Sequence, residues 1–108
     1  MRFFTARVSG PSMVPTLRSG DAVLVRRTTS ARPGDVVVAR FRSRPGLLVV
    51  KRAVRAEAGG WWLVSDNEFT SDDSRAYGVA DVVGRVVVRY WPAPRSVMRR
   101  KGTGVTEL

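Results

Sequence analysis

The sequence has no histidine and no cysteine. Without histidine, the chain lacks the imidazole base on which His-assisted serine and cysteine peptidases depend. Without cysteine, it has no thiol nucleophile, no disulfide bond and no zinc site built from cysteine and histidine. If the protein carries out acyl transfer, its nucleophile must be a hydroxyl, and its base must come from another residue type.

Lysine is also scarce, because only Lys51 and Lys101 among the 19 basic residues are lysine. Arginine stays protonated in proteins, whereas a buried lysine can lose its proton and act as a base. The formal net charge of +10 is of the kind that attracts nucleic acid, an anionic membrane or an acidic partner. The basic residues are spread along the chain in short clusters, which favours a solvated arginine-rich surface over a dedicated binding patch.

Long apolar runs are absent as well. No run exceeds four residues, as at 36–39 and 47–50, whereas a membrane-spanning helix needs about 20 apolar residues. The first ten residues, MRFFTARVSG, contain no apolar stretch of signal-peptide length. We therefore expect a soluble, cytoplasmic chain without a transmembrane anchor.

The 108 residues, 44% of them hydrophobic, suit one globular domain. Segments rich in valine, phenylalanine, leucine and tryptophan alternate with clusters of glycine, proline, serine and aspartate, which is typical of short strands and turns. We predict a mainly β, single-domain fold over residues 1–92 and a loosely ordered basic tail over residues 93–108. The predicted strands cover residues 3–8, 22–26, 35–41, 47–57, 61–65 and 82–90. Residues 9–20, 32–34 and 66–78 are predicted loops, with a short helical turn after Ser12 and a tight hairpin turn at Gly59 and Gly60.

Ser12 is the first candidate for chemistry. It lies in the segment SGPSMVPTL, in which Gly10, Pro11 and Pro15 impose a tight, irregular path. Such a path can present both a serine hydroxyl and its own N–H to a cleft, where the N–H can stabilise an oxyanion. Taken alone, a serine between prolines is more often a simple turn residue.

Lys51 is the second candidate, within LLVVKRAVRAE. Side chains alternate along a strand, so Lys51 shares one face with Leu47, Val49 and Ala53. Burial on that apolar face would lower the pKa of the amine toward the range of a general base. The alternative is a lysine whose stem covers apolar surface while its charge stays in water.

Residues 65–78, SDNEFTSDDSRAYG, hold four acidic side chains, several hydroxyls and one arginine. The glycine and final glutamate of a calcium loop are absent at the required spacing, so we predict no metal site and no cofactor. We expect instead a loop held by an Asp73–Arg75 ion pair and Asx turns. Ser71 is the hydroxyl in this loop that can accept a hydrogen bond from a lysine amine and orient it.

Together these segments resemble the type I signal peptidases and, more broadly, the Ser/Lys-dyad clan that includes LexA-type self-cleaving repressors. SMVPT is followed by GD and an apolar strand, and a second GD precedes the strand VVV. The pair KR at Lys51 and the series DN, Ser71, DSR, Gly78 and GR complete a likeness running from about residue 8 to residue 92. The resemblance implies a compact signal-peptidase/LexA-like β-fold, with Ser12 as the nucleophile and Lys51 as its general base.

The same resemblance implies supporting roles for four residues. Ser71 would orient Lys51, and Asp73 and Arg75 would hold the loop that carries Ser71. Met13 would pack beside the cleft, and a protein substrate would bind extended along a strand edge.

Small members of this family without a membrane anchor are the nickel-type superoxide dismutase maturation proteases. GPSMVPTLRSGD, RPGDVVVAR and GGWWLVSDN are very similar to their sequences. Gly10 stands where many signal peptidases place a serine that helps form the oxyanion hole. The likeness implies a cytoplasmic serine endopeptidase that removes an N-terminal propeptide from a nickel superoxide dismutase precursor, with no nucleic-acid partner.

Two other readings of the sequence remain open. One is a signal peptidase-like enzyme with another substrate, acting at a membrane surface through its basic charge and Phe3, Phe4, Trp61 and Trp62. The other is a basic β-barrel that binds nucleic acid and uses these aromatic residues for stacking. The second reading leaves the shared motifs unexplained.

Overall fold

The computed structural model describes residues 2–97, which form seven strands and one short helix. The mainly β architecture predicted from the sequence is confirmed. In chain order the elements are β1 (Phe3–Arg7), β2 (Ala22–Arg27), β3 (Val36–Phe41), β4 (Leu48–Glu57), β5 (Gly60–Val64), α1 (Ser74–Tyr77), β6 (Ala80–Trp91) and β7 (Arg95–Ser96).

The strands of this region form one antiparallel sheet in the order β1-β2-β6-β3-β4-β5, with β7 added to β6. The long strand β6 joins the two halves of the molecule. Its second half pairs with β2, its first half pairs with β3, and it meets β5 again at Trp61 and Ala80. Because β5 returns to β6, strands β3, β4, β5 and β6 close into a small barrel.

Two apolar clusters lie on opposite faces of β3. Val36 and Val38 pack in the first cluster, beneath β1 and β2, whereas Val37 and Ala39 pack in the second, inside the small barrel. A strand buried on both faces reads as a continuous apolar run, which is why β3 contains VVVA and not an alternating pattern. This division continues into β4 and places its successive side chains in different environments.

All six predicted strands are present, with ends that differ by at most two residues from the prediction. The hairpin turn, predicted at Gly59 and Gly60, was wrong by one residue and lies at Ala58 and Gly59, with φ of 51° and 77°. These positive angles at both central positions match the twist of the flanking strands. Gly60 begins β5, where a Cβ would collide with the carbonyl of Ala80.

The segment after Ser12 forms a hydrogen-bonded turn and not the predicted turn of helix, and α1 and β7 were not predicted. Helix α1 has four residues, too few for an apolar period to show in the sequence. Strand β7 pairs Arg95 and Ser96 with β6, so strand pairing extends beyond the predicted boundary at residue 92. Residues 98–108 of the predicted tail lie outside the described residues. Within residues 2–97, no helix has the length and apolar character needed to cross a membrane.

Candidate active site

The loop between β1 and β2 carries Ser12, and its own hydrogen bonds hold its shape. The Val8 N–H donates to the Asp21 carbonyl at 2.8 Å and closes the base of the loop. Inside the loop, the Leu17 N–H donates to the Met13 carbonyl at 2.9 Å, which closes a five-residue turn. Met13 and Leu17 are fully buried in the first apolar cluster and anchor this turn in the core. Ser12, which precedes Met13, remains partly exposed.

Asn67 fastens the same loop from the segment after β5. Its backbone N–H donates to the Ser12 carbonyl at 2.9 Å, and its Nδ2 donates to the Pro11 carbonyl at 3.0 Å. Its Oδ1 accepts the Phe69 N–H at 2.9 Å, which forms the expected Asx turn. Among the hydrogen bonds within residues 2–97, none uses the Ser12 N–H as a donor. That N–H is therefore available to a substrate oxyanion.

Gly10 has a backbone conformation that explains why this position is not a serine. Its φ of 86° lies in the left-handed region, where a residue with a Cβ is strained. Its N–H donates to the Oγ of Ser19 at 3.2 Å. The local turn thus favours glycine two residues before Ser12, and the side-chain oxyanion donor of many signal peptidases is absent here.

Ser12 and Lys51 line the same cavity, which has a volume of about 290 Å³. One wall is the loop that carries Ser12 with the end of β1, and the other is the start of β4. The lining comprises residues 7–12, residues 47–51 and Asp72. Ser12 and Lys51, which lie far apart in the sequence, are thus brought to one cleft as predicted. Met13, which follows Ser12 in this loop, is buried in the core and is not part of the lining.

Lys51 is 5% exposed, on the face of β4 that also carries Val49 and Ala53. These two residues belong to the second apolar cluster, so the predicted apolar environment of the lysine is confirmed. Burial lowers the pKa of Lys51 below its usual value, while the negative charges of Asp72 and Asp73 act in the opposite direction. Burial outweighs both charges because it removes the ammonium from water. A lysine in this position loses its proton at a lower pH than a solvated one.

Arg52 points to the opposite face of β4 and forms a buried ion pair. Its Nε donates to Asp66 Oδ1 at 3.0 Å and its Nη2 to Asp66 Oδ2 at 2.5 Å, with side-chain exposures of 7% and 0%. Its Nη1 donates to the Gly34 carbonyl at 3.0 Å, and the Thr16 hydroxyl donates to Asp66 Oδ2 at 2.5 Å. The guanidinium therefore joins β4, the turn before β3, the loop that carries Ser12 and the segment after β5.

The predicted Asp73–Arg75 ion pair is present. Asp73 caps α1 by accepting the Arg75 N–H, and its Oδ2 accepts both the Arg75 Nη2 at 2.7 Å and the Ser65 N–H at 2.7 Å. Arg75 also donates to the Thr70 carbonyl, which closes the loop. Hydrogen bonds from Arg75, Ser65 and the backbone hold the pKa of Asp73 below its usual value despite its burial. Ser71 is exposed on this loop, and its predicted contact with Lys51 stays a prediction.

Two residues near Lys51 were missed from the sequence. Asp72 lines the cavity, although the sequence marks it only as one of several acidic loop residues. Ser65 is 8% exposed, and its Oγ has no hydrogen-bond partner within residues 2–97. One step beyond the last β4–β5 register pair, Arg52 and Val64, Ser65 falls opposite Lys51. Residues directly opposite in an antiparallel pair project to the same face, with Cβ atoms about 5 Å apart.

Comparison with known proteins places the chain in a peptidase family. A family model described as Peptidase S24-like matches residues 2–87. Mitochondrial inner membrane protease subunit 1 of Xenopus tropicalis is 33% identical over 111 aligned residues, which cover 78% of this chain and 66% of the relative. The human protein of the same name is 32% identical, with 78% and 67% covered, and that of Schizosaccharomyces pombe is 32% identical, with 85% and 76% covered. The chain thus spans about two thirds of the length of the vertebrate relatives.

Proposed function

Because the chain belongs to the peptidase S24-like family, we propose that it is a serine endopeptidase with Ser12 as nucleophile and Lys51 as general base. The observation that carries this proposal is their meeting in one cavity, where burial lowers the pKa of the only described lysine. With neither histidine nor cysteine in the chain, a Ser/Lys dyad is the arrangement that supplies both a nucleophile and a base.

In the proposed mechanism, neutral Lys51 takes the proton from Ser12 Oγ as the oxygen attacks the scissile carbonyl carbon. The Ser12 N–H donates to the oxyanion that forms. Protonated Lys51 then gives its proton to the leaving amine, and the acyl-ester on Ser12 remains. Lys51 next removes a proton from water, which attacks the ester, releases the acid product and restores the serine hydroxyl.

The start of β4 offers a strand edge for the substrate. Residues Leu48 to Lys51 pair with β3 on one side, whereas pairing with β5 begins only at Arg52. The open side of this segment lines the cavity beside Ser12. An extended polypeptide added there would form main-chain hydrogen bonds and present its scissile carbonyl to the serine.

Two serines compete for the role of orienting the Lys51 amine. Ser71 matches the family motif and is exposed, whereas Ser65 is buried, has an unpaired hydroxyl among the described residues, and falls opposite Lys51 when the β4–β5 register is extended one step past its last pair. A buried hydroxyl without a partner is costly unless it serves a purpose. We assign the orienting role to Ser65 and keep Ser71 as the alternative, with Asp73 and Arg75 fixing the loop that holds both in place.

The substrate we propose is the N-terminal propeptide of a nickel superoxide dismutase precursor in the cytoplasm. Its support is the motif likeness of GPSMVPTLRSGD, RPGDVVVAR and GGWWLVSDN to the maturation proteases. The second candidate is signal peptidase-like processing of another, membrane-associated protein. It is favoured by the names of the relatives, which are inner membrane proteases, and by Leu47, Leu48 and Phe69, exposed by 46%, 46% and 89%.

Incubation with a nickel superoxide dismutase precursor tests the proposal, with the new N-terminus determined by mass spectrometry. We expect cleavage to be lost in Ser12→Ala and in Lys51→Met, while both variants unfold cooperatively with a midpoint no lower than that of the native chain. Normal cleavage by Lys51→Met would overturn the dyad. If only a vesicle-anchored precursor is cleaved, and both variants abolish that cleavage, the dyad stands and the substrate is the second candidate.

A further inference from the structure

A groove of about 720 Å³ lies at the other end of β1 from the Ser12 cavity. The cavity includes Arg7, which ends β1, whereas the groove includes Arg2, which precedes it. The groove is lined mainly by arginines, with two hydroxyl side chains and a single carboxylate. These residues are Arg2, Arg26, Arg27, Arg32, Arg85, Thr28, Ser30 and Asp35.

The central pair of arginines is placed in a way that disfavours folding. Arg26 of β2 and Arg85 of β6 are direct register partners, so their side chains leave the same face about 5 Å apart. Like charges in such positions destabilise a sheet. Within residues 2–97, neither guanidinium has an ion pair to a carboxylate, in contrast to the pairs that Arg42, Arg55 and Arg75 form elsewhere. A bound anion between them would remove this repulsion.

The groove is partly ordered before any ligand arrives. The Arg27 guanidinium lies 4.7 Å from the centre of the Phe4 ring, a cation–π contact that limits its motion. The turn that carries Arg32 is closed by its N–H, which donates to Asp35 Oδ2 at 2.9 Å. Thr28 and Ser30 are joined by a hydrogen bond of 3.0 Å. Side chains already held in place lose less entropy when they bind a ligand.

We propose that this groove binds an acidic segment of a polypeptide. Guanidinium groups match carboxylates with paired hydrogen bonds, and a concave surface accepts a chain more readily than a flat bilayer. The lining holds no large apolar side chain for insertion into a membrane. It also holds no exposed aromatic ring for stacking of bases, since Arg27 covers the face of Phe4.

The acidic segment would belong to the substrate, and this part of the inference rests on the proposed peptidase function. The five residues of β1 separate the groove from the cavity by roughly 15 Å at about 3.3 Å per residue. An extended substrate of about five residues covers that distance. Binding at the groove would raise the effective concentration of the scissile bond at Ser12 without new contacts in the cleft.

Binding is tested with the full chain carrying Ser12→Ala and a fluorescein-labelled hexaglutamate peptide, followed by fluorescence anisotropy at about 50 mM salt. We expect Arg26→Gln/Arg85→Gln to weaken binding by about tenfold. The control Arg44→Gln/Arg55→Gln removes the same charge outside the groove and should change the affinity by less than about twofold. Equal losses in the two double variants would overturn the groove as a site and assign binding to overall charge.

Thermal unfolding separates a built site from surface attraction. Hexaglutamate should raise the Tm of the Ser12→Ala chain but not that of the same chain with Arg26→Gln/Arg85→Gln.

Oligothymidylate of matched charge and vesicles of equal phosphatidylserine and phosphatidylcholine serve as competitors. If either competitor binds more tightly per negative charge than hexaglutamate does, and Arg26→Gln/Arg85→Gln abolishes the binding of that competitor, the ligand is a phosphate-bearing partner. The peptide assignment is then wrong.

Cleavage then tests whether the bound segment is part of the substrate. A peptide substrate with three glutamates placed about five residues from the scissile bond should have a lower KM than its glutamine counterpart, and Arg26→Gln/Arg85→Gln should remove the difference. If the native chain cleaves the glutamate and glutamine peptides with equal KM, only the assignment of the acidic segment to the substrate is overturned. If the native chain cleaves neither peptide but still binds hexaglutamate, the peptidase proposal is overturned and the groove stands as a peptide-binding site.

Discussion

Lys51 and Arg52 are neighbours on β4, and both are 5% exposed, yet their surroundings differ completely. Lys51 faces the barrel cluster and lines the cavity with Ser12, with no ion pair within residues 2–97. Arg52 faces the other way and shares two hydrogen bonds with the buried carboxylate of Asp66. One strand thus carries an amine with a lowered pKa on one face and a fixed cation on the other.

The two residue types are not interchangeable in these positions. A guanidinium stays charged when buried and therefore needs a carboxylate, whereas an amine can give up its proton. The carboxylate of Asp66 also accepts a hydrogen bond of 2.5 Å from the hydroxyl of Thr16, in the loop that carries Ser12. The consecutive pair Lys51 and Arg52 therefore couples the chemistry of the cleft to the position of the loop that carries Ser12.

Exchange of the two cation types should give the largest effect. Lys51→Arg should lower kcat/KM by about a thousandfold or more, because a guanidinium cannot accept the serine proton at neutral pH. Arg52→Lys keeps the amine of Lys51 and should retain measurable activity while lowering the Tm. Steady-state cleavage of a peptide substrate together with thermal unfolding measures both. Activity of Lys51→Arg within tenfold of the native chain contradicts the general-base role.

Removal of the fixed cation should give the largest loss of stability. Arg52→Met leaves Asp66 buried without its partner and should lower the free energy of unfolding by about 3–5 kcal/mol. The double variant Arg52→Met/Asp66→Leu should recover most of this loss, since no unpaired charge remains. Arg42→Met, which breaks an exposed ion pair with Asp81, is the control and should change stability little. Urea unfolding gives the values, and a loss in Arg52→Met no greater than in Arg42→Met would contradict the buried-pair account.

The orienting serine provides a smaller effect on the Lys51 face. Ser65→Ala should lower kcat about ten- to a hundredfold with little change in KM, because the amine would lose its alignment. Ser65→Thr, which keeps a hydroxyl, should recover part of the rate, and Ser71→Ala should leave kcat close to native. The pH profile of kcat in Ser65→Ala distinguishes an altered titration of Lys51 from a general loss of folded protein. The opposite pattern, with kcat lost only in Ser71→Ala, assigns the role to Ser71.

The smallest expected effect is a displacement of the pH profile. In the proposed mechanism Lys51 acts in its neutral form, so activity should fall as the pH is lowered through its depressed pKa. The charge of Asp72 raises that pKa and partly opposes burial. Asp72→Asn should therefore move the acidic limb of the kcat/KM profile to lower pH, whereas Asp81→Asn on the far surface should not move it. A shift of the limb to higher pH would show that the sign of this interaction is wrong.

Much of the fold was predictable because the apolar strands are local features of the sequence. The run of valines at residues 36–38 predicted strand β3. The two turns that begin with Arg18 and Arg32 each contain a glycine at positive φ, followed by an aspartate that accepts a backbone hydrogen bond. Helix α1 was not predictable, since its four residues are too few for an apolar period and Ser74 at its start is held by the Leu63 N–H of β5. Short elements of this kind depend on tertiary contacts more than on periodicity.

The sequence alone determined the chemistry that is open to this chain. The lack of histidine and cysteine, the rarity of lysine, and the alternation that puts Lys51 on an apolar face all follow from residue types and local geometry. Only the tertiary structure decided which distant groups meet these residues. The ion pair of Arg52 with Asp66 depends on the path of the segment after β5, and the alignment of Arg26 with Arg85 depends on the register between β2 and β6. Strands this far apart in the chain take their register from the packing of their apolar faces, which no local stretch of sequence specifies alone.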